Sequence, residues 1–211
     1  MVLDRDDMGE DMHIRVVTFA GAKDIDAGIK FLQDKVLPVL NAQKGYRGFT
    51  ASADRAGGVF AVLSWWETPA DRDASDSVLA SIRQESNDVI GGELKVENFE
   101  QLVTEVGEPP PGPGSALMVT RISMDPGKID ENIAFFKSDV APRIKALSGF
   151  QGLRNMINRD TGEGIVGTAW SDQEALKRAA DDAQVRRDQA VSRGVNIGEV
   201  TFREIVLAEL R

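Results

Sequence analysis

Val36-Leu37-Pro38-Val39-Leu40, followed by Gly45-Tyr46-Arg47-Gly48-Phe49, returns later in the chain as Val140-Ala141-Pro142 and Gly149-Phe150-Gln151-Gly152-Leu153. Working outward from these stretches, a shift of 104 residues lays the two halves on each other without a gap. Ile25-Asp26 falls on Ile129-Asp130, Phe31 on Phe135, Arg55 on Arg159, Gly58 on Gly162, Trp66 on Trp170, Arg83 on Arg187 and Glu100 on Glu204. Scattered Ala or Val matches arise by chance, but Pro, three Gly and Trp in one frame do not. The period is far longer than the roughly twenty to fifty residues of solenoid repeats, so the chain reads as a tandem duplication. The same frame sets Arg15 against Val119 and Arg121 against Val17.

The organisation that follows is a polar, flexible tail over residues 1–11, a first repeat over 12–106, a linker over 107–115 and a second repeat over 116–211. The linker, Gly107-Glu108-Pro109-Pro110-Pro111-Gly112-Pro113-Gly114-Ser115, is too rich in Pro and Gly for a helix or a central strand and suits an extended spacer.

Each repeat opens with a β-rich segment, at 14–19 and 117–122. Ile25, Ile29, Leu32, Val36 and Leu40 then recur at helical spacing, as do Ile129, Ile133, Phe136, Val140 and Ile144. Pro38 and Pro142 lie late in these helices and are expected to kink or shorten them. Gly45 and Gly149 stop them. Two strands joined by a tight turn follow, at 49–53 and 59–65 and again at 153–157 and 164–170. A more polar helix at 69–88 and 172–192 leads to a last strand near 94–103 and 199–208. The order β-α-β-β-α-β is the ferredoxin-like arrangement of an α+β fold. Two helices cover one face of such a sheet and leave the other bare. The expected architecture is therefore two tandem ferredoxin-like units whose antiparallel sheets pack face to face, an intramolecular pseudo-dimeric barrel.

Composition excludes several function classes. The net charge of -9 argues against general nucleic-acid binding. No Cys is present, which removes disulfides, thiolate metal sites and thiol catalysis. His13 is the one histidine, so an imidazole-rich metal site is not expected, and His13 itself reads as a strand-edge histidine. The apolar runs are too short for a membrane span, and the acidic start has no signal-peptide character. The expectation is a cytoplasmic protein with no membrane partner. Gly57-Gly58 and Gly91-Gly92 lack phosphate-loop spacing.

The Pro-then-Gly-x-x-Gly stretches and the strand ending in Trp66 or Trp170 before a helix resemble the dimeric α+β barrel superfamily, and within it the antibiotic-biosynthesis-monooxygenase-like proteins. The resemblance spans nearly all of both repeats. It implies a ligand pocket in each half, between the sheet and its helices, and a pseudo-dimer made within one chain. It also implies cofactor-free oxygenase or haem-degrading activity. In the haem-degrading members a His nine residues after the Trp holds the iron. Here Ser75 and Ala179 stand at those positions, so no haem and no other cofactor is expected.

Five residues are candidates for a ligand site. Trp66 and Trp170 read either as pocket walls for a flat ligand or as core aromatics at the strand-to-helix corner. Arg15 and Arg121 read as anion-binding groups or as partners for carboxylates such as Glu100 and Glu204. Asn155 adds a polar group where repeat 1 has Ala51. Arg121, Asn155 and Trp170 together make the second repeat the better candidate, provided that strand register brings their faces together. Two functions stay open. One is a small-molecule-binding protein that acts as a cofactor-independent monooxygenase on an aromatic or enolic substrate. The other is a non-enzymatic module whose pockets are filled.

Overall fold

The computed structural model describes residues 12–210, and the tail expected over residues 1–11 lies outside them. The first repeat runs β1 (His13–Ala20), α1 (Ile25–Phe31), a π-helical turn (Leu32–Val36), α2 (Leu37–Asn41), β2 (Tyr46–Asp54), β3 (Val59–Trp66), α3 (Pro69–Ala74), α4 (Asp76–Ile90) and β4 (Glu93–Val106). The second runs β5 (Ala116–Ser123), a 3-10 turn (Pro126–Lys128), α5 (Ile129–Phe135), a π-helical turn (Phe136–Val140), α6 (Ala141–Lys145), β6 (Phe150–Ile157), β7 (Glu163–Trp170), α7 (Gln173–Ser192) and β8 (Asn196–Leu210). The fold class is α+β. Hydrogen bonding follows the order β1-β3-β2-β8-β5-β7-β6-β4 and closes into a barrel. Within that order, β4-β1-β3-β2 and β8-β5-β7-β6 each carry the ferredoxin-like arrangement.

Among the described residues the chain packs as two compact units. One holds residues 12–98 and 205–210, the other residues 99–204. The long strands β4 and β8 begin in one unit and end in the other. Thus Glu100–Val106 of β4 pair with β6, inside the second unit.

The helices carrying Pro38 and Pro142 are neither shortened nor broken. In each, a π-helical turn precedes the proline. The Leu37 amide reaches back to the Leu32 carbonyl, and Ala141 reaches Phe136 in the same way. Widening the turn moves the upstream carbonyls off the pyrrolidine ring, so the backbone stays helical although the proline donates no hydrogen bond. The second of these helices ends at Lys145, and Gly149 takes φ 86° in the turn that leads into β6. A side chain there would meet the Ala175 Cβ at 2.5 Å.

Strand register corrects the ungapped alignment in the first strand. His13, Arg15, Val17 and Phe19 of β1 face Trp66, Ser64, Val62 and Phe60 of β3. In the second repeat Ala116, Met118, Thr120 and Ile122 face Trp170, Thr168, Val166 and Gly164. Arg15 therefore corresponds to Met118, not Val119, and Val17 corresponds to Thr120, not Arg121. The cause is a connection one residue longer between β5 and α5, where Pro126–Lys128 form the 3-10 turn. A one-residue slip inverts every side chain on a strand, so it changes which residues share a site.

Candidate functional site

In the second unit, one face of the sheet carries two adjacent cross-strand rows. Met118, Thr168 and Leu153 form one; Thr120, Val166 and Asn155 form the next. Above this floor stand α5, its π turn and α7. The space between is a cavity of about 110 Å³, whose lining includes Met118, Thr120, Asn155, Thr168, Phe136 and Arg187. Most of the remaining lining is aliphatic or aromatic. An apolar enclosure with a few directed polar groups is the usual form of a small-molecule site.

Asn155 is 2% exposed, and its Oδ1 has no hydrogen-bond partner. Orphaned polar atoms of this kind are rare in folded proteins, because the lost hydration is not returned. Thr168 is also buried. Its Oγ1 accepts from the Trp170 indole Nε1 at 3.0 Å, which leaves the threonine O–H as a donor. Trp170 does not line the cavity. It is fully buried behind it, edge-on to Phe150 with ring centroids 6.0 Å apart, and it fixes the threonine that does line it.

Three arginines border the cavity. Arg186 is paired with Asp182 on its own helix. Arg193 bonds Glu131 at 3.3 Å and lies 4.2 Å from the Phe135 ring centroid. Arg187 donates from Nη2 to the Met118 sulfur at 3.7 Å. Arg121 is on the opposite face of β5, because Met118, Thr120 and Ile122 take the cavity side. The structure thus brings Asn155 to the cavity, sets Trp170 one layer behind it and turns Arg121 away.

The first unit has a smaller cavity, about 60 Å³, in the same place. Phe19 and Phe60 stack there at 6.3 Å, where the second unit has Ile122 and Gly164. Leu79 stands where the second unit has Ala183. Trp66 is fully buried and donates to Ser64 Oγ at 3.0 Å, edge-on to Tyr46. It does not line the cavity. Arg15 does, but its guanidinium is occupied. Nη1 donates to the Arg72 carbonyl and Ser75 Oγ, both at 3.0 Å, Nη2 to Asp76 at 2.9 Å, and Nε to Asn98 at 3.2 Å. Burial lowers its pKa below the ordinary arginine value, with Asp76 pulling the other way. Asp76 also holds Arg83 at 2.7 Å. Arg15 pairs with Asp76 and Asp73 rather than with the glutamates its strand position suggested.

Known proteins bear on this geometry. No model of a known protein family matches the chain. An uncharacterised protein of Mycobacterium tuberculosis is 27% identical over 189 residues, 89% of this chain and 84% of that protein. A second from the same organism is 26% identical over 189 residues, 89% of this chain and 80% of that protein. Among solved structures, a candidate monooxygenase from Fusobacterium nucleatum superposes with a TM-score of 0.66 at 11% identity, over 96% of this chain and 95% of that one. An anthrone oxidase-like protein gives 0.66 at 14% identity, over 94% and 93%. A Listeria monocytogenes ferredoxin-fold protein related to antibiotic-biosynthesis monooxygenases gives 0.51 at 9%, over 96% and 98%. This is the dimeric α+β barrel fold. At these identities the likeness establishes architecture.

Sequence reading passed over Arg187, Thr120 and Met118 in this barrel. The match of Arg83 to Arg187 was visible in it. That Asp76 becomes Ala180 was visible too, but its meaning needs the contacts of Asp76. Among the described residues no helix is long and apolar enough to cross a membrane.

Proposed function

We propose that this chain is a cytoplasmic small-molecule-binding protein with one working site, the cavity of the second unit. We further propose that it acts there as a cofactor-independent monooxygenase on a phenolic or enolic substrate. The observation that carries the reading is Asn155 Oδ1, buried without a partner at the edge of a cavity of about 110 Å³. A ligand hydroxyl supplies the missing bond. The Thr120 and Thr168 hydroxyls stand on the same face and add orientation. Because no Asp, Glu or His among the described residues lines the cavity, proton removal falls to water. The positive charge of Arg187, which no carboxylate offsets among the described residues, favours the substrate anion. Such an anion reduces dioxygen directly. A substrate CH2 group becomes C=O, and dioxygen supplies that oxygen and one water.

The first unit supports a structural role for its own half, since Phe19 and Phe60 narrow its cavity to about 60 Å³ and its arginines are tied to Asp76.

The test is a thermal-shift and oxygen-uptake screen with phenols, enols, quinones and haem. A ligand that binds the native state alone raises the melting temperature. Phenols or enols are expected to raise it, and substrates among them to consume oxygen without added cofactor. Asn155→Leu is expected to abolish the ligand shift. Without ligand it is expected to match the wild type or exceed it by about 1 kcal/mol, because it removes an unpaired buried amide. Ligand shifts that survive in Asn155→Leu would contradict the site. Binding without oxygen uptake would contradict the oxygenase reading and leave a binding protein.

A further inference from the structure

The two units differ at one connected set of residues. In the first, Asp76 sits between two cations, Arg15 at 2.9 Å and Arg83 at 2.7 Å. In the second, Met118 replaces Arg15 by strand register, Ala180 replaces Asp76, and the arginine is kept as Arg187. Losing the carboxylate and the competing cation together leaves Arg187 with a thioether for company, at 3.7 Å. Among the described residues no carboxylate pairs with it. A half-buried guanidinium whose side-chain partner is a methionine sulfur, at the wall of an apolar cavity, keeps donors open to a ligand, because thioethers are weak acceptors. Its natural complement is a planar oxyanion that takes two parallel hydrogen bonds.

Arg187 rests on the row of Met118 and Thr168, while Asn155 lies one row along. Neighbouring rows on one sheet face are about 7 Å apart. The cavity, about 110 Å³, is of the order of the roughly 150 Å³ void that accepts a benzene ring. One ring with an anion at one end and a hydroxyl at the other spans the two groups. The hydroxyl meets the Asn155 amide whichever way that amide is turned, since it both donates and accepts.

We propose that the second unit's cavity selects single-ring hydroxyaryl carboxylates, with the carboxylate on Arg187 and the hydroxyl on Asn155. This rests on the reading of the cavity as a ligand site. It adds Arg187 as the residue that sets specificity and identifies Asp76, which ties up Arg83, as the feature that denies the same ligand to the first unit.

The test is calorimetric titration of the intact chain with 4-hydroxybenzoate and with its neutral analogue 4-hydroxybenzamide. The wild type is expected to favour the carboxylate by about ten- to a hundredfold, the worth of a charge-assisted bond. Arg187→Met is expected to erase that preference while keeping the binding of the amide. Ala180→Asp places a carboxylate two helical turns before Arg187, the relation of Asp76 to Arg83. It is expected to suppress carboxylate binding with Arg187 still present, so the result does not depend on one variant folding well. Equal affinity for both probes in the wild type would overturn this proposal and leave the site standing. A carboxylate preference that survives both variants would also overturn it. Failure of both probes to bind would overturn the proposal and the site together.

Discussion

At the scale of single residues, the two repeats differ in what their arginines hold. Arg15 is 2% exposed and ties β1 to the junction of α3 and α4. Its bonds to the Arg72 carbonyl and Ser75 Oγ fall at the break between α3, of 6 residues, and α4, of 15 residues, where the second repeat has the single helix α7. With Met118 and Ala179 in the corresponding places, α7 runs unbroken. Arg15→Met is expected to cost about 2–3 kcal/mol, from buried acceptors left without their donor. Chemical denaturation measures it, and a loss below about 0.5 kcal/mol would show that the network is dispensable. Asn155 was legible as a candidate because its counterpart is Ala51. Arg187 was not, because its significance lies in a partner that is missing. The two tryptophans could be matched in sequence, but that both are buried behind the cavities, against Tyr46 and Phe150, depends on packing.

At the scale of elements, the helix positions were readable from apolar spacing, and the strands from alternation and turn chemistry. Two details were not. A π turn leaves the hydrophobic pattern almost unchanged, so the prolines pointed to a kink where the chain widens one turn instead. The slip of β5 against the alignment comes from a loop, whose length constrains no side-chain pattern. Because Phe136 and Val140 lie on the π turn and line the cavity, Pro142→Ala has a specific consequence. Without the proline the turn can rewind to α-helix, rotating the residues before it by about 100° relative to those after it. Helicity by circular dichroism is expected to hold or rise while ligand affinity falls. Unchanged affinity would show that the wide turn does not shape the site. The start of α7 gives a pH dependence. Asp172 accepts from the Ala175 amide at 2.8 Å, which, with Ser171, holds its pKa below the ordinary value. A group whose folded pKa is depressed stabilises the fold above its unfolded pKa, near 4. That stabilisation is lost as pH falls through the folded value. Asp172→Ala is expected to flatten the acid side of the stability profile below about pH 4, and an acid slope identical to the wild type would contradict the cap.

At the scale of the whole molecule, the chain carries two versions of one unit with cavities of different size. The ferredoxin-like order of each repeat and an intramolecular barrel were accessible to sequence, because Pro, Gly and Trp positions repeat; the strand order that closes it was not. The asymmetry was less so. It resides in Phe60 against Gly164, Leu79 against Ala183 and Asp76 against Ala180, substitutions that look like drift until their contacts are known. They narrow the first cavity and pair its cations, and they open the second. The central claim, one working site in the second unit, is tested most directly by nuclear magnetic resonance on the labelled chain titrated with a phenolic ligand. The account predicts saturable shifts of the Asn155 side-chain amide and the Arg187 Nε–H, with Arg83 and the amide of Ser64 unmoved. Shifts centred on Arg83 and Ser64, or none at either set, would contradict it.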